Sequence, residues 1–204
     1  MTRTAIPIDH FRTSRLTAIE SGLESALERL ALEFPPASTV GHRSRAMLPE
    51  SLLKRVTDAD PTGAYPTDTG ELLLAEAALG DADPSWRLGV AWIRIGAVER
   101  LNRRATDRLT RRRVGKSATI TLPLVRATVG DIAAWLGEAL ALLEAAADDG
   151  EPPAALVERD IDRALRATWK LFGASGYIVD APSNLAQALS ILGEVYSIET
   201  GGEL

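Results

Sequence analysis

Residues 83–113 read DPSWRLGVAWIRIGAVERLNRRATDRLTRRR, and the reading of this run decides the fold. The Asp83 side chain can cap the first free amides of a helix and proline tolerates the first helical position, so Asp83-Pro84 opens one. That helix is predicted to run from Pro84 to about Arg112. A second should begin at Leu122-Pro123 and carry Val125, Val129, Ile132, Leu136, Leu140 and Leu143 inward, ending at Asp148-Asp149-Gly150. Gly89 and Gly96 lie seven apart on the first helix, as do Gly130 and Gly137 on the second. Two small residues on one face of each predict that these helices pack backbone-close as an antiparallel pair.

Downstream, Pro152-Pro153 precedes a third long helix carrying Leu156, Ile161, Leu165, Trp169 and Phe172. A fourth is predicted from about Ser183 to Tyr196, with Leu185, Leu189 and Leu192 inward. Upstream, Leu16, Ile19, Leu23, Leu27 and Leu30 recur at three- and four-residue steps, which predicts one helix from Ser14 to Leu32, stopped by Pro35-Pro36. Ala37 to Met47 reads as an exposed loop, and Pro49 as the opening of a short helix with Leu52, Leu53 and Val56. Glu71 to Leu79 reads as a short buried helix capped by Gly80, and no segment alternates as a strand does. The predicted class is all-α: an antiparallel helical bundle over 84–204, with the short helices of 1–83 packed on it as one compact unit.

Composition narrows the function classes. The 204 residues are 46% hydrophobic and 25% charged, an ordinary globular balance with material for a sizeable core. A net charge of −5 disfavours general affinity for nucleic acid or an anionic membrane, so neither is expected as a partner. The absence of cysteine removes disulfides, thiolate nucleophiles and thiolate metal sites. Met1 to His10 lacks a continuous apolar core of the signal-peptide kind, and the expected location is cytoplasmic. His10 and His42 are the only histidines and read as surface residues, which leaves no histidine metal centre or catalytic triad.

Four short motifs, taken in order, resemble the C-terminal four-helix domain of acyl-CoA dehydrogenases. Arg111-Arg112-Arg113-Val114-Gly115-Lys116 is similar to the family's Arg-x-x-Phe-Gly turn after the first helix. Leu122-Pro123-Leu124-Val125-Arg126-Ala127-Thr128-Val129-Gly130-Asp131-Ile132-Ala133 is similar to its Val-Arg-x-x-Leu-Ala-Asp-Met helix. Phe172-Gly173-Ala174-Ser175-Gly176-Tyr177 resembles its His-Gly-Gly-x-Gly-Tyr loop, and Ile198-Glu199-Thr200-Gly201-Gly202-Glu203 its terminal Gly-Thr segment. Leu48-Pro49-Glu50-Ser51-Leu52-Leu53 and Pro66-Thr67-Asp68-Thr69-Gly70 are looser counterparts of the N-terminal helical domain. In the family a β-domain of about a hundred residues stands between the two helical parts. Here Ser85 runs directly into the C-terminal helices.

The resemblance implies that Arg111 would bind flavin phosphate and that the loop bearing Gly173 and Gly176 would approach the dinucleotide, partly across a subunit interface. Val114 replaces the family phenylalanine, Phe172 the loop histidine and Ala174 the second loop glycine. A flavin ring also needs hydrogen bonds and a shielded site, most of which a sheet domain would supply. The expected cofactor is therefore none for the chain alone, with FAD only where a partner chain completes the site. Glu199 best matches the position of the carboxylate that abstracts the alpha proton of an acyl thioester. Its other reading is a solvated tail carboxylate.

The arginines from Arg100 to Arg113 have two readings: a solvated helix end paired with Glu99 and Asp107, which is the preferred one, or a site for CoA or nucleotide phosphate. Trp86, Trp92, Trp135 and Trp169 read as core. The leading expectation is an assembly subunit or a protein binding an acyl-type ligand, free or on a carrier. Such a subunit would form a homodimer, or a heteromer with a flavoprotein dehydrogenase. The rival is a cofactor-independent acid–base enzyme, an isomerase, lyase or cyclase, acting on a thioester or a hydrophobic intermediate.

Overall fold

The computed structural model describes residues 7–77, 82–149, 152–173 and 181–198. Among these, seven α-helices account for most of the chain: α1 (Ile8–Glu20), α2 (Leu23–Leu30), α3 (Glu50–Leu53), α4 (Pro84–Arg111), α5 (Pro123–Asp149), α6 (Ala154–Leu171) and α7 (Ala181–Val195). The strands are short: β1 (Arg45–Leu48), β2 (Gly63–Pro66), β3 (Glu71–Glu76), β4 (Arg113–Val114) and β5 (Ser117–Ala118). The α4 start is as the sequence predicts. The Asp83 carboxylate accepts from the Ser85 amide at 2.8 Å, with Pro84 at the first helical position. The Gly80 cap lies outside the described residues.

The N-terminal third departs from its reading. The single helix expected over Ser14–Leu32 is two, because the chain turns at Gly22 with φ +101°, a conformation glycine adopts without steric cost. A β-carbon there would also lie 2.2 Å from the Thr69 Oγ1. The turn rotates α1, so its buried stripe is Phe11, Ser14 and Ala18 while Leu16 is exposed.

The expected exposed loop to Met47 instead buries Val40, Ala46 and Met47 and ends in β1. The expected helix from Glu71 is strand β3, the centre of an antiparallel sheet ordered β1-β3-β2. Met47 lies opposite Leu74 and Tyr65 opposite Leu72, and Leu72 and Leu74 point to the core. Leucine and alanine favour helix weakly, and pairing on both edges overrides that preference. This sheet corrects the expectation of no strand, although the fold as a whole is mostly helical.

The predicted glycine pairing of α4 with α5 is also overturned. Gly89 is covered by Leu30 of α2, and Gly96 by Arg15 and Ala18 of α1. A β-carbon on Gly96 would come 2.4 Å from the Arg15 carbonyl oxygen, whereas one on Gly130 or Gly137 would meet nothing within 4 Å. The small residues of α4 admit the N-terminal helices, and α5 packs chiefly on α6. Leu156, expected inward on α6, is partly exposed, while Ile161 and Leu165 are buried.

Two polar links hold the layers together. Arg94, only 2% exposed in the middle of α4, pairs with Glu158 and, at 2.9 Å, with Asp162 of α6. Burial pulls its pKa down, and the two carboxylates more than offset that, leaving it raised. The Tyr196 hydroxyl, buried at the end of α7, donates to the Thr39 carbonyl at 2.9 Å and accepts from the Met47 amide at 3.1 Å. Its ring meets Trp86 edge-on with centroids 5.9 Å apart, and Trp86 meets Phe34 likewise at 5.4 Å.

Three outcomes are expected in urea unfolding. Gly96→Ala should destabilise by about 1–3 kcal/mol through overpacking. Gly137→Ala should stabilise by up to about 1 kcal/mol, the ordinary helix gain. Arg94→Met should cost about 3–5 kcal/mol, because it strands the mostly buried Glu158 charge. For Tyr196, burial raises the phenol above its ordinary value of 10.0. The native state therefore favours the neutral phenol, and this contribution holds below about pH 10 and is lost as pH rises beyond it. Tyr196→Phe should cost about 1–3 kcal/mol at neutral pH. Its stability should then fall less steeply than wild type in alkaline urea titrations; parallel slopes would remove the phenol as the cause.

Candidate functional site

Three helix ends meet on one side of the bundle: the C-terminal turns of α4 and α6 and the first turns of α5. Between them lies an open groove of about 580 Å³. Its apolar wall comes from Leu109 of α4, Val125 and Trp135 of α5 and Leu171 of α6. Its charge comes from Arg112, just past α4, and from Arg163, Arg166 and Lys170 on α6.

The spacing 163, 166, 170 follows the helical repeat, so these three cations share one face of α6. All three are exposed, and among the described residues only Arg163 has an ion-pair partner, Asp160, at a loose 3.9 Å. Cations in the last turn of a helix also face its negative dipole end favourably, and Lys170 is so placed on α6.

Arg112 is held by the hairpin that follows it. The chain reverses at Gly115, φ +61°, and β4 and β5 pair Arg113 with Ala118 and Val114 with Ser117. Thr119 then donates to the Arg112 carbonyl twice, from its amide at 2.7 Å and its hydroxyl at 3.0 Å. The other hydroxyl in the groove, on Thr128, donates to the Leu124 carbonyl at 3.0 Å. Both groove hydroxyl protons are thus committed to backbone.

Asp131 is the one carboxylate among the described lining residues, and it is exposed. This set suits an anion such as a phosphate attached to an apolar body, with guanidinium groups as the phosphate donors. It offers little to a flavin ring, which needs uncommitted neutral donors and acceptors around its edge. The phosphate-bearing half of a dinucleotide fits the donor set; the ring half does not.

Of the residues singled out in the sequence, Arg111 is exposed at the end of α4, and its neighbour Arg112 is the one that lines the groove. Gly173, φ +58°, terminates α6 two residues beyond Leu171 and is open on its surface. Gly176 and Glu199 lie outside the described residues. Sequence reasoning missed Arg163, Arg166 and Lys170, whose i, i+3, i+7 spacing was legible but unconnected to any motif.

The paired reading of the arginines divides. Arg100 and Arg104 bind Asp68 at 2.7 and 3.1 Å, and Glu99 binds Arg15 at 2.5 Å instead of a residue of the cluster. Trp86 and Trp92 are core, whereas Trp135 is half-buried in the groove. His10 pairs with Glu33 at 2.9 Å and His42 lies 3.1 Å from the Ser197 carbonyl oxygen. Among the described residues no helix is long and apolar enough to cross a membrane.

The sequence matches no protein-family model and no curated protein. Solved structures do match. Butyryl-CoA dehydrogenase from Megasphaera elsdenii is 15% identical, with 75% of this chain and 51% of that chain covered and a TM-score of 0.51. A putative acyl-CoA dehydrogenase from Mycobacterium smegmatis is 15% identical over 69% of this chain and 46% of that one, TM-score 0.48. The acyl-CoA dehydrogenase from Geobacillus kaustophilus is 12% identical over 68% and 45%, TM-score 0.48. The chain thus spans about half the length of the structures it matches. At these identities the likeness concerns architecture, not activity, and its conclusion is that this chain has an acyl-CoA dehydrogenase-like, mostly helical fold.

Proposed function

We propose that this chain is an acyl-CoA dehydrogenase-like helical subunit that does not hold a flavin alone and that binds the phosphate-bearing, partly apolar end of an acyl-type ligand. One observation carries this reading: the groove sets Arg112, Arg163, Arg166 and Lys170 around the apolar surface of Leu109, Val125, Trp135 and Leu171. An acyl thioester of CoA offers that combination of charge and apolar length. So does a dinucleotide held mainly by a second chain, and in either case the groove supports only part of the ligand. An acid–base enzyme would want a desolvated carboxylate beside the ligand. The exposed Asp131 does not have that setting.

Two measurements on the purified full chain test the reading. Its visible spectrum should be colourless; a stoichiometric yellow flavin would overturn the claim that it holds none alone. Butyryl-CoA and palmitoyl-CoA should both bind in calorimetry. The Arg166→Ser, Lys170→Ser double variant should weaken both by about tenfold or more, since each charge-assisted hydrogen bond contributes about 1.5–3 kcal/mol. Unchanged affinity in the variant would remove the groove as the site.

A further inference from the structure

Beside the groove, the outer surface at the same end of the bundle has a character of its own. Residues 103–126 carry eight cations, Arg103, Arg104, Arg108, Arg111, Arg112, Arg113, Lys116 and Arg126, against the single carboxylate of Asp107, in a chain whose net charge is −5. Several arginines are paired within the fold: Arg15 on Glu99, Arg94 on Glu158 and Asp162, and Arg100, with Arg104 of this run, on Asp68. Carboxylates are not scarce, since Asp and Glu number 28 against 23 Lys and Arg. Yet Arg108, Arg111, Arg112, Arg113, Lys116 and Arg126 have no ion pair among the described residues, and all are exposed. Like charges left together repel one another, a cost that the C-terminal dipole of α4 partly offsets at Arg108 and Arg111.

The same end exposes apolar side chains. Val114 at the hairpin is 53% exposed and Leu124 in the first turn of α5 is 80% exposed, two of the five large apolar side chains left so open. The hairpin presenting Val114 is fixed by β4–β5 pairing and by Thr119, so the surface is preformed. Arginine is enriched at protein interfaces, because it brings an apolar stem and planar donors together. A polynucleotide would use the charge but leave Val114 and Leu124 unmatched.

We propose that this basic, apolar-centred end docks an acidic protein surface: a partner that sets carboxylates around apolar side chains, as an amphipathic acidic helix does. Docking places that partner at the mouth of the groove. It goes beyond the ligand reading: Arg112 and Leu124 also line the groove, whereas Arg111, Val114 and Lys116 do not.

A labelled amphipathic peptide of glutamate and leucine is the probe, read by fluorescence anisotropy at about 150 mM salt, where weak long-range attraction is screened. The full chain should bind it at least about tenfold more tightly than a glutamate–serine peptide of equal charge. Arg111→Glu with Lys116→Glu should abolish binding, and Val114→Ser should weaken it several-fold. All three positions are exposed, and far-ultraviolet circular dichroism checks that the variants fold. The proposal is overturned if the peptide does not bind, if Val114→Ser leaves its affinity unchanged, or if a poly-dT oligonucleotide or phosphatidylglycerol vesicles bind as tightly. Acyl-CoA affinity should be the same in Val114→Ser as in wild type, which separates this surface from the groove.

Discussion

The Arg94 guanidinium is the constraint on which the arrangement of the bundle depends. It sits buried in the middle of α4, and a buried charge without counter-charge is untenable in a protein interior. Glu158 and Asp162 stand one turn apart on α6, so both reach it only when α6 lies alongside α4 at one register. Helix α7 closes over the pair through Gly193, where a β-carbon would come 2.4 Å from the guanidinium. The second oxygen of Glu158 accepts from the Ile198 amide at 3.1 Å, so the same cluster fixes the chain beyond α7. Arg94 Nε remains without a hydrogen-bond partner, part of the cost of placing the group there.

The position of the groove follows from that register. With α4 and α6 running side by side in the same sense, their C-terminal turns end at one level, and α5 returns between them. Arg112 and the cations of α6 are thereby gathered at the ends of helices whose dipoles favour them. The rest of α4 is enclosed. Its glycines admit α1 and α2, and the sheet with the Tyr196 contact covers the N-terminal end, which leaves the C-terminal end of the helix as the exposed one.

Fold and function separate here at an identifiable place. The architecture is that of acyl-CoA dehydrogenases over part of their length, with a three-stranded sheet of residues 45–76 where those positions precede the long helix. The groove has charge suited to phosphate, and the hydroxyl protons of Thr119 and Thr128 are committed to backbone.

The sequence alone determined the long helices and their limits, because capping and heptad spacing are local: Asp83-Pro84 and Leu122-Pro123 are visible without knowing what lies opposite. The four ordered motifs likewise carried the architecture. Strand β3 was not legible, since a run such as Leu72-Leu73-Leu74 satisfies helix and strand alike until a neighbour pairs with it. Nor was the placement of the glycines. Gly89 and Gly130 look alike in sequence, and only the packing of α2 against one and nothing against the other distinguishes them. The groove was legible in pieces, as an arginine cluster and a helical row of cations. Tertiary structure decided that Arg100 and Arg104 would be neutralised by Asp68 while Arg112 and Arg166 would line the groove. Which charges find partners is a property of distance in space, and the order of residues along the chain does not encode it locally.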